Sequence, residues 1–255
     1  MTTSKSSEPS LADRYRRAKS KSKFPEFELF THELRFPLDD FQEQACLALE
    51  AGAGVLVAAP TGAGKTIVGE FAIHLALAKG QKVFYTTPIK ALSNQKFAEL
   101  AARYGKNRVG LLTGDSNSNS EAEIVVMTTE VLRNMIYATS TTLMDLGYVV
   151  MDEVHYLADR FRGAVWEEVI LHLPKDVKVV SLSATVSNAE EFGAWLAEVR
   201  GNTEIIVSEI RPVPLHQHVM FGEELLELFE TGSNKTRVNP ELLQKHQARQ
   251  RAPHL

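Results

Sequence analysis

The 255-residue chain contains a single cysteine, Cys46, so an intrachain disulfide is impossible. This cysteine content suits a reducing, cytoplasmic compartment. No apolar run approaches the roughly 20 residues that a membrane-spanning helix needs. The polar segment 1–7 lacks the apolar core of a secretory signal. These absences predict a globular cytoplasmic protein that does not enter a membrane, and a hydrophobic content of 44% can fill a sizeable core.

The chain also lacks an excess of positive charge, since its formal net charge is −4. Residues 1–23 hold seven basic and two acidic side chains, and 232–255 hold five and one. The segment 24–231 is therefore acidic, with 16 basic and 29 acidic side chains. A broad basic face is not expected there, so nucleic acid would be contacted by local loops, backbone amides and helix N-termini. The basic tails fit either weak, salt-sensitive nucleic-acid affinity or simple solubility and disorder.

Apolar runs of strand length alternate with amphipathic segments of helix length. Strands are predicted at 54–59, 82–87, 109–112, 124–128, 147–152, 177–182 and 204–208. Helices are predicted from residue 41 and at 65–79, 89–104, 129–138, 165–173 and 187–200, the last with a capping box of Ser187 and Glu190. This alternation predicts an α/β fold whose mostly parallel sheet is covered by helices on both faces. Ligands in such sheets bind at the carboxyl ends of the strands.

Composition divides the chain into three regions. Residues 1–23 are polar and basic and are predicted to be a disordered tail. Residues 24–222 carry the alternating pattern and are predicted to form the α/β domain. Residues 223–255 have little apolar content and are predicted to be a linker toward another domain, with a short acidic helix at 223–230.

The segment 59–66, Ala-Pro-Thr-Gly-Ala-Gly-Lys-Thr, lies between a predicted strand and a predicted helix, as a phosphate-binding loop does. Its glycines allow backbone N–H groups to turn inward around a polyphosphate, and the helix N-terminus adds unpaired donors. Lys65 can reach the β- and γ-phosphates, and the Thr66 hydroxyl can bind Mg²⁺. The alternative is a glycine-rich turn with a chance Lys-Thr pair. The predicted ATP-binding residues of this loop are Pro60, Thr61, Gly62, Ala63, Gly64, Lys65 and Thr66.

An apolar strand places two adjacent acids, Asp152 and Glu153, at its end. Asp152 would hold Mg²⁺ so that the metal bridges the β- and γ-phosphates. Glu153 would polarise the attacking water as a general base. Alone, the two acids could be a solvated strand end, but the phosphate loop upstream favours the catalytic interpretation. The predicted catalytic residues are therefore Lys65, Asp152 and Glu153, with ATP and Mg²⁺ as cofactors.

Several further motifs resemble those of superfamily 2 helicases. Asp152-Glu153-Val154-His155 is a DExH box, and the segment 183–185, Ser-Ala-Thr, is similar to helicase motif III. The segments 36–42, 87–95, 113–115 and 127–133 resemble the Q-motif and motifs Ia, Ib and Ic. Residues 162–168 resemble a signature of the superkiller-type, exosome-associated branch, which includes the bacterial HelY group. The resemblance covers roughly 34–222 and implies a RecA-like P-loop NTPase domain.

The resemblance also implies a role for each matching residue. Gln42 would read the adenine edge, and Phe36 would stack on the base. His155, Ser183 and Thr185 would couple the nucleotide state to nucleic-acid binding. A single strand of RNA or DNA, with RNA favoured by the resemblance alone, would be bound chiefly through phosphate and sugar. Its path would be lined by Pro88, Lys90, Ser93, Asn94, Gly114, Asp115, Thr129 and Arg133.

No segment of the sequence matches the glycine–arginine run that the second RecA-like domain of such helicases contributes. An arginine finger is worth on the order of 10³–10⁵ in rate. We therefore expect this chain alone to bind ATP, to hydrolyse it slowly, and to need a second RecA-like domain for unwinding. Two alternatives remain: a P-loop ATPase or kinase acting on another substrate, and a nucleotide-binding regulatory module without turnover.

Overall fold

The computed structural model describes residues 23–160, 162–184, 189–230 and 237–251. Apart from Lys23, the predicted disordered tail lies outside these residues, and so do Thr185 and the predicted cap Ser187. Within the described ranges, no helix is both long and apolar enough to cross a bilayer. The chain divides into two compact units, with the division between Ile210 and Arg211.

The larger unit begins with helices α1 (Pro25–Glu33) and α2 (Asp40–Glu50). Strands and helices then alternate in the order β1 (Gly54–Ala58), α3 (Thr66–Ala78), β2 (Lys82–Thr87), α4 (Lys90–Tyr104), β3 (Val109–Thr113), β4 (Ser116–Ser118), β5 (Ile124–Thr128), α5 (Thr129–Tyr137), β6 (Leu146–Met151), α6 (Gly163–His172), β7 (Lys178–Ser183), α7 (Ala189–Arg200) and β8 (Thr203–Val207). Short 3₁₀ turns occupy Thr141–Leu143 and Val154–Ala158.

The strands form one sheet in the order β4-β3-β5-β2-β6-β7-β1-β8, in which only the β3–β4 pair is antiparallel. Central strands such as β1, β5 and β6 are buried along their whole length, because helices cover both faces. One core contains Phe71 of α3, and the other contains Trp166 of α6. The predicted α/β fold with a mostly parallel sheet is confirmed.

The sheet order places the functional segments at one edge. β1, β7, β6 and β2 are neighbours, so the phosphate loop after β1, the acids after β6 and the segment after β2 emerge at the same end of the sheet. Backbone bonds extend this alignment past the strands, with the N–H of Ala59 donating to Ser183 O at 3.1 Å and that of Asp152 donating to Thr86 O at 2.9 Å. This is the edge at which open parallel sheets bind ligands.

Helix α1, which the sequence analysis did not predict, is attached to α2 by a carboxylate. The two Glu50 oxygens accept the N–H groups of Glu26 at 2.9 Å and Phe27 at 2.7 Å, satisfying donors that a helix N-terminus leaves unpaired. Phe27 and Phe30 pack on Phe71 with ring centroids 6.1 and 5.1 Å apart.

The smaller unit contains a hairpin of β9 (His218–Phe221) and β10 (Glu224–Glu227) and the helix α8 (Pro240–Arg251). The predicted acidic helix at 223–230 is therefore wrong. Gly222, with a φ of 65°, turns the chain so that Glu224 pairs with Phe221, and this pairing overrides the helix propensity of the Glu/Leu run. The predicted boundary after residue 222 falls inside this turn, whereas the larger compact unit ends at Ile210.

Candidate nucleotide and nucleic-acid site

The phosphate loop depends on two glycines in the left-handed region of backbone space. Gly62 has a φ of 84° and Gly64 a φ of 81°, which side chains with a Cβ rarely adopt. A Cβ on Gly62 would meet open space, whereas one on Gly64 would lie 2.7 Å from Nε2 of Gln42. Gly64 is therefore required both for the turn and for the close approach of that side chain.

Gln42 is only 5% exposed and joins α2 to the phosphate loop. Its Oε1 accepts the Asp39 N–H at 2.9 Å, completing the capping box of α2. Its Nε2 donates to the carbonyl oxygens of Ala63 at 3.3 Å and Gly64 at 3.0 Å. Phe36, 53% exposed, lies just before this helix. The predicted contact of Gln42 with adenine would therefore require its amide to exchange partners.

The Lys65 ammonium lies against the loop that precedes it. Its Nζ donates to Ala59 O at 2.7 Å and Pro60 O at 3.1 Å. Burial lowers its pKa below the ordinary lysine value, and the charges of Glu153 and Asp152 oppose that shift. The structure thus brings this cation and both predicted acids together. The half-buried Thr66 follows Lys65 in the chain, at the start of α3.

Both carboxylate oxygens of Asp152 are held by donors. Oδ1 accepts the Glu153 N–H at 3.0 Å, and Oδ2 accepts the hydroxyl of Tyr85 at 2.8 Å. Burial and the neighbouring Asp152 raise the pKa of Tyr85 well above its usual value, which keeps the hydroxyl a donor. Tyr85 was not identified from the sequence, because its position inside the apolar strand β2 marks it only as a core aromatic.

The donor set around Asp152 fits a magnesium–nucleotide complex. A carboxylate has about four lone-pair positions, and Tyr85 and the backbone use two of them. Mg²⁺ usually takes one or two carboxylates and completes its octahedron with water and phosphate oxygens. Asp152 and the Thr66 hydroxyl are the residues that would hold it. Glu153 has a φ of 55°, an uncommon value for a residue with a side chain and one that often occurs at active sites.

His155 and Ser183, two of the predicted coupling residues, line one cavity of about 730 Å³ together with Phe192 and Trp195. His155 Nδ1 lies 3.2 Å from Glu153 Oε2, without the alignment of a hydrogen bond. The coupling roles stay predictions.

A second groove, of about 420 Å³, lies beyond the ends of β2, β3 and β5. We call it the strand groove, because it lies where a single strand of nucleic acid is predicted to bind. Four of the eight predicted strand-path residues line it, namely Pro88, Lys90, Gly114 and Asp115. The other lining residues are Ile89, Thr128, Glu130 and Arg162. The Lys90 ammonium pairs with the Asp115 carboxylate. Arg162 was noted only as part of a motif, although its charge makes it a suitable phosphate ligand.

The other predicted strand-path residues lie elsewhere. Ser93 is fully buried, with its hydroxyl 2.7 Å from that of Thr87, and Thr129 is 1% exposed with its hydroxyl donating to Thr87 O at 3.4 Å. Both side chains support the end of β2, and their contact with a bound nucleic-acid strand stays a prediction. Asn94 is exposed on α4. Arg133 donates to Asn134 and lies 3.7 Å from Glu168 Oε2.

Comparison with known proteins decides the family. Residues 39–192 match the model of the family described as DEAD/DEAH box helicase. The chain belongs to this helicase family. It is 68% identical over 216 residues to a probable helicase HelY of Mycobacterium leprae. This match covers 84% of this chain and 24% of the relative. It is 44% identical over 205 residues to the antiviral helicase SKI2 of Saccharomyces cerevisiae. That match covers 80% of this chain and 16% of SKI2.

Two solved helicase structures agree with the fold. A Mycobacterium smegmatis helicase Lhr, bound to ssDNA and AMP-PNP, superposes with a TM-score of 0.59 at 28% identity, covering 74% of this chain and 28% of that one. A hypothetical ATP-dependent RNA helicase from Sulfolobus tokodaii gives a TM-score of 0.56 at 23% identity, and the superposition covers 72% of this chain and 57% of that one. The RecA-like fold is thereby confirmed. The chain spans about a quarter or less of the length of these curated relatives.

Proposed function

We propose that this chain is an ATP-binding RecA-like domain of an ATP-dependent nucleic-acid helicase. It would act with a second RecA-like domain on single-stranded RNA or DNA. The observation that carries the proposal is the meeting of Lys65, Asp152 and Glu153 at the sheet edge where the phosphate loop also ends. A groove with basic side chains lies at the ends of neighbouring strands. Family membership adds independent support.

In this proposal the loop binds ATP through its backbone. The N–H groups around Gly62 and Gly64 would surround the phosphates, and Lys65 would leave the carbonyls of Ala59 and Pro60 to reach the β- and γ-phosphates. Bound Mg²⁺ would neutralise charge on the phosphates. Glu153 would orient the attacking water and accept its proton.

The strand groove would contact phosphate and sugar, because its cations, Lys90 and Arg162, are exposed side chains that suit phosphate oxygens. Such contacts carry little base specificity. The relatives include a DExH-box ATP-dependent RNA helicase of Arabidopsis thaliana by name, and one similar structure holds ssDNA, so the experiment uses both nucleic acids.

The experiment is ATP binding and turnover by the chain, with and without single-stranded RNA or DNA. Lys65→Ala should abolish ATP binding, because it removes the cation that reaches the phosphates, while Glu153→Gln should retain binding and lose turnover. Lys79→Ala is the matched control, since Lys79 donates to the Tyr148 hydroxyl at the other end of α3. Tight ATP binding by the Lys65 variant would contradict the nucleotide site.

The same assay separates the remaining alternatives. A helicase domain should bind a single strand with an affinity that falls as salt rises, and turnover should increase when the second domain is added. A kinase or unrelated ATPase would show turnover that neither RNA nor DNA changes. A regulatory module would bind ATP and show no turnover even with the second domain present.

A further inference from the structure

We infer that Tyr85 is a positioning residue that sets the orientation of the metal-binding carboxylate of Asp152. The inference rests on the proposed function, because it assigns a metal to Asp152. The Tyr85 hydroxyl donates to Asp152 Oδ2 at 2.8 Å, across the neighbouring strands β2 and β6. Tyr85 is fully buried, so water cannot replace this donor without a rearrangement of the core.

The ring of Tyr85 is fixed from several sides. A Cβ on Gly69 of α3 would lie 3.2 Å from Tyr85 Cε2, so the helix that follows the phosphate loop packs directly on the ring. The ammonium of Lys96, on α4, lies 5.4 Å from the ring centroid. α4 begins at the groove residue Lys90. Tyr85 therefore contacts three parts of the site: α3, which follows the phosphate loop; Asp152, which follows β6; and α4, which begins at the strand groove.

This packing determines what the hydroxyl does for the carboxylate. The Glu153 N–H holds Asp152 Oδ1, and Tyr85 holds Oδ2, so the carboxylate plane has one preferred orientation. A neutral donor orients the carboxylate and leaves its negative charge available to attract Mg²⁺. An arginine in the same place would cancel that charge. Hydrogen-bond partners of metal ligands typically affect metal affinity by 10–100-fold.

The test is the Mg²⁺ dependence of nucleotide binding by Tyr85→Phe, measured with a fluorescent ATP analogue in excess EDTA and then over a Mg²⁺ titration. Phe keeps the ring against Gly69 and removes only the donor. We expect the Mg²⁺ concentration for half-maximal effect to rise about 10–100-fold, with unchanged affinity in EDTA.

Tyr148→Phe is the matched control. Tyr148 is 1% exposed, and its hydroxyl accepts from Lys79 Nζ at 2.7 Å, so this change also removes a buried hydroxyl, but near the start of β6. It should leave the Mg²⁺ dependence unaltered. Thermal melts of both variants in EDTA report any general loss of stability.

The outcomes separate this inference from the proposed function. A Mg²⁺ dependence of Tyr85→Phe equal to that of the unsubstituted chain would overturn the role of Tyr85 and leave the nucleotide site standing. A loss of affinity in EDTA as large as the loss in Mg²⁺ would also overturn it, because a structural defect acts under both conditions. No binding of the analogue by the unsubstituted chain would overturn the proposed function itself.

Discussion

Gly62→Ala and Gly64→Ala form a matched pair that tests how the phosphate loop is built. The two glycines have nearly the same φ, 84° and 81°, so the backbone strain of adding a Cβ is similar at both. They differ in what the Cβ meets, since Gly62 faces open space and Gly64 faces the Gln42 amide at 2.7 Å. Gly64→Ala should therefore destabilise the larger unit more than Gly62→Ala does.

The size of the difference follows from the hydrogen bonds of Gln42. Placing a residue other than glycine at positive φ destabilises by about 1 kcal/mol or more, and this applies to both variants. A Cβ on Gly64 also displaces Nε2 from the carbonyls of Ala63 and Gly64. A hydrogen bond contributes about 0.5–1.5 kcal/mol. The free energy of unfolding should thus fall by about 1–3 kcal/mol more in Gly64→Ala.

The assay is thermal unfolding followed by tryptophan fluorescence. Both tryptophans, Trp166 and Trp195, lie in the larger unit, so the signal reports on that unit. For a unit of this size, 1 kcal/mol corresponds to about 2–4 °C in Tm. Gly64→Ala should therefore melt about 2–12 °C below Gly62→Ala.

A double-mutant cycle gives the decisive control. In a Gln42→Ala background the amide is gone. The free energies of unfolding of the two alanine variants should then differ by no more than about 0.5 kcal/mol. Equal Tm values for the two variants with Gln42 intact would refute the reasoning. A difference that persists in the Gln42→Ala background would also refute it, because some other contact would then distinguish the two glycines.

Two further predictions concern the strand groove and helix α1. Asp115→Asn should release Lys90 from its ion pair and raise the affinity for a single strand about two- to fivefold at low salt, consistent with the weakness of exposed pairs. Lys90→Gln should reduce the salt slope of binding by about 1. Fluorescence anisotropy over a salt series checks both, and a lower affinity in Asp115→Asn would contradict the competition. Glu50→Ala should destabilise the larger unit by about 1–3 kcal/mol, because it leaves the N–H groups of Glu26 and Phe27 unpaired. Urea unfolding measures this loss of stability. An unchanged urea midpoint would contradict the prediction.

The central sheet could be predicted from the sequence because its strands are continuously apolar. The observed strands from β1 to β8 begin and end within one residue of the predicted ones, except for β4, Ser116–Ser118, which was missed. That strand is polar, and at the sheet edge it pairs on one side only, so hydrophobic periodicity gives no signal. Helix α1 was also missed, although its proline at the first turn and its acidic residues there are typical start signals.

The smaller unit shows the limit of local propensity. Glu and Leu favour a helix, yet the residues after Gly222 form a strand because the preceding segment is available for pairing. The Gly222-Glu223 turn was the available sequence signal. The helix at Pro240 likewise had a start signal, since the Asn239 side chain accepts the Glu241 N–H.

Within the site, motif matching predicted which residues occur together but not the partners that their side chains already have. Lys65 holds carbonyls of its own loop, Gln42 holds two others, and Lys90 holds Asp115. The contacts of Gln42 and Lys90 join segments more than 20 residues apart, and no single-sequence pattern reports them. Binding of ATP or a nucleic-acid strand would therefore exchange one set of partners for another, so the net affinity is the difference between the two sets. This is why Gly64→Ala and Asp115→Asn, which change the partners held in the absence of ligand, test the site more sharply than removal of Lys65 or Lys90, which also removes the contact with the ligand.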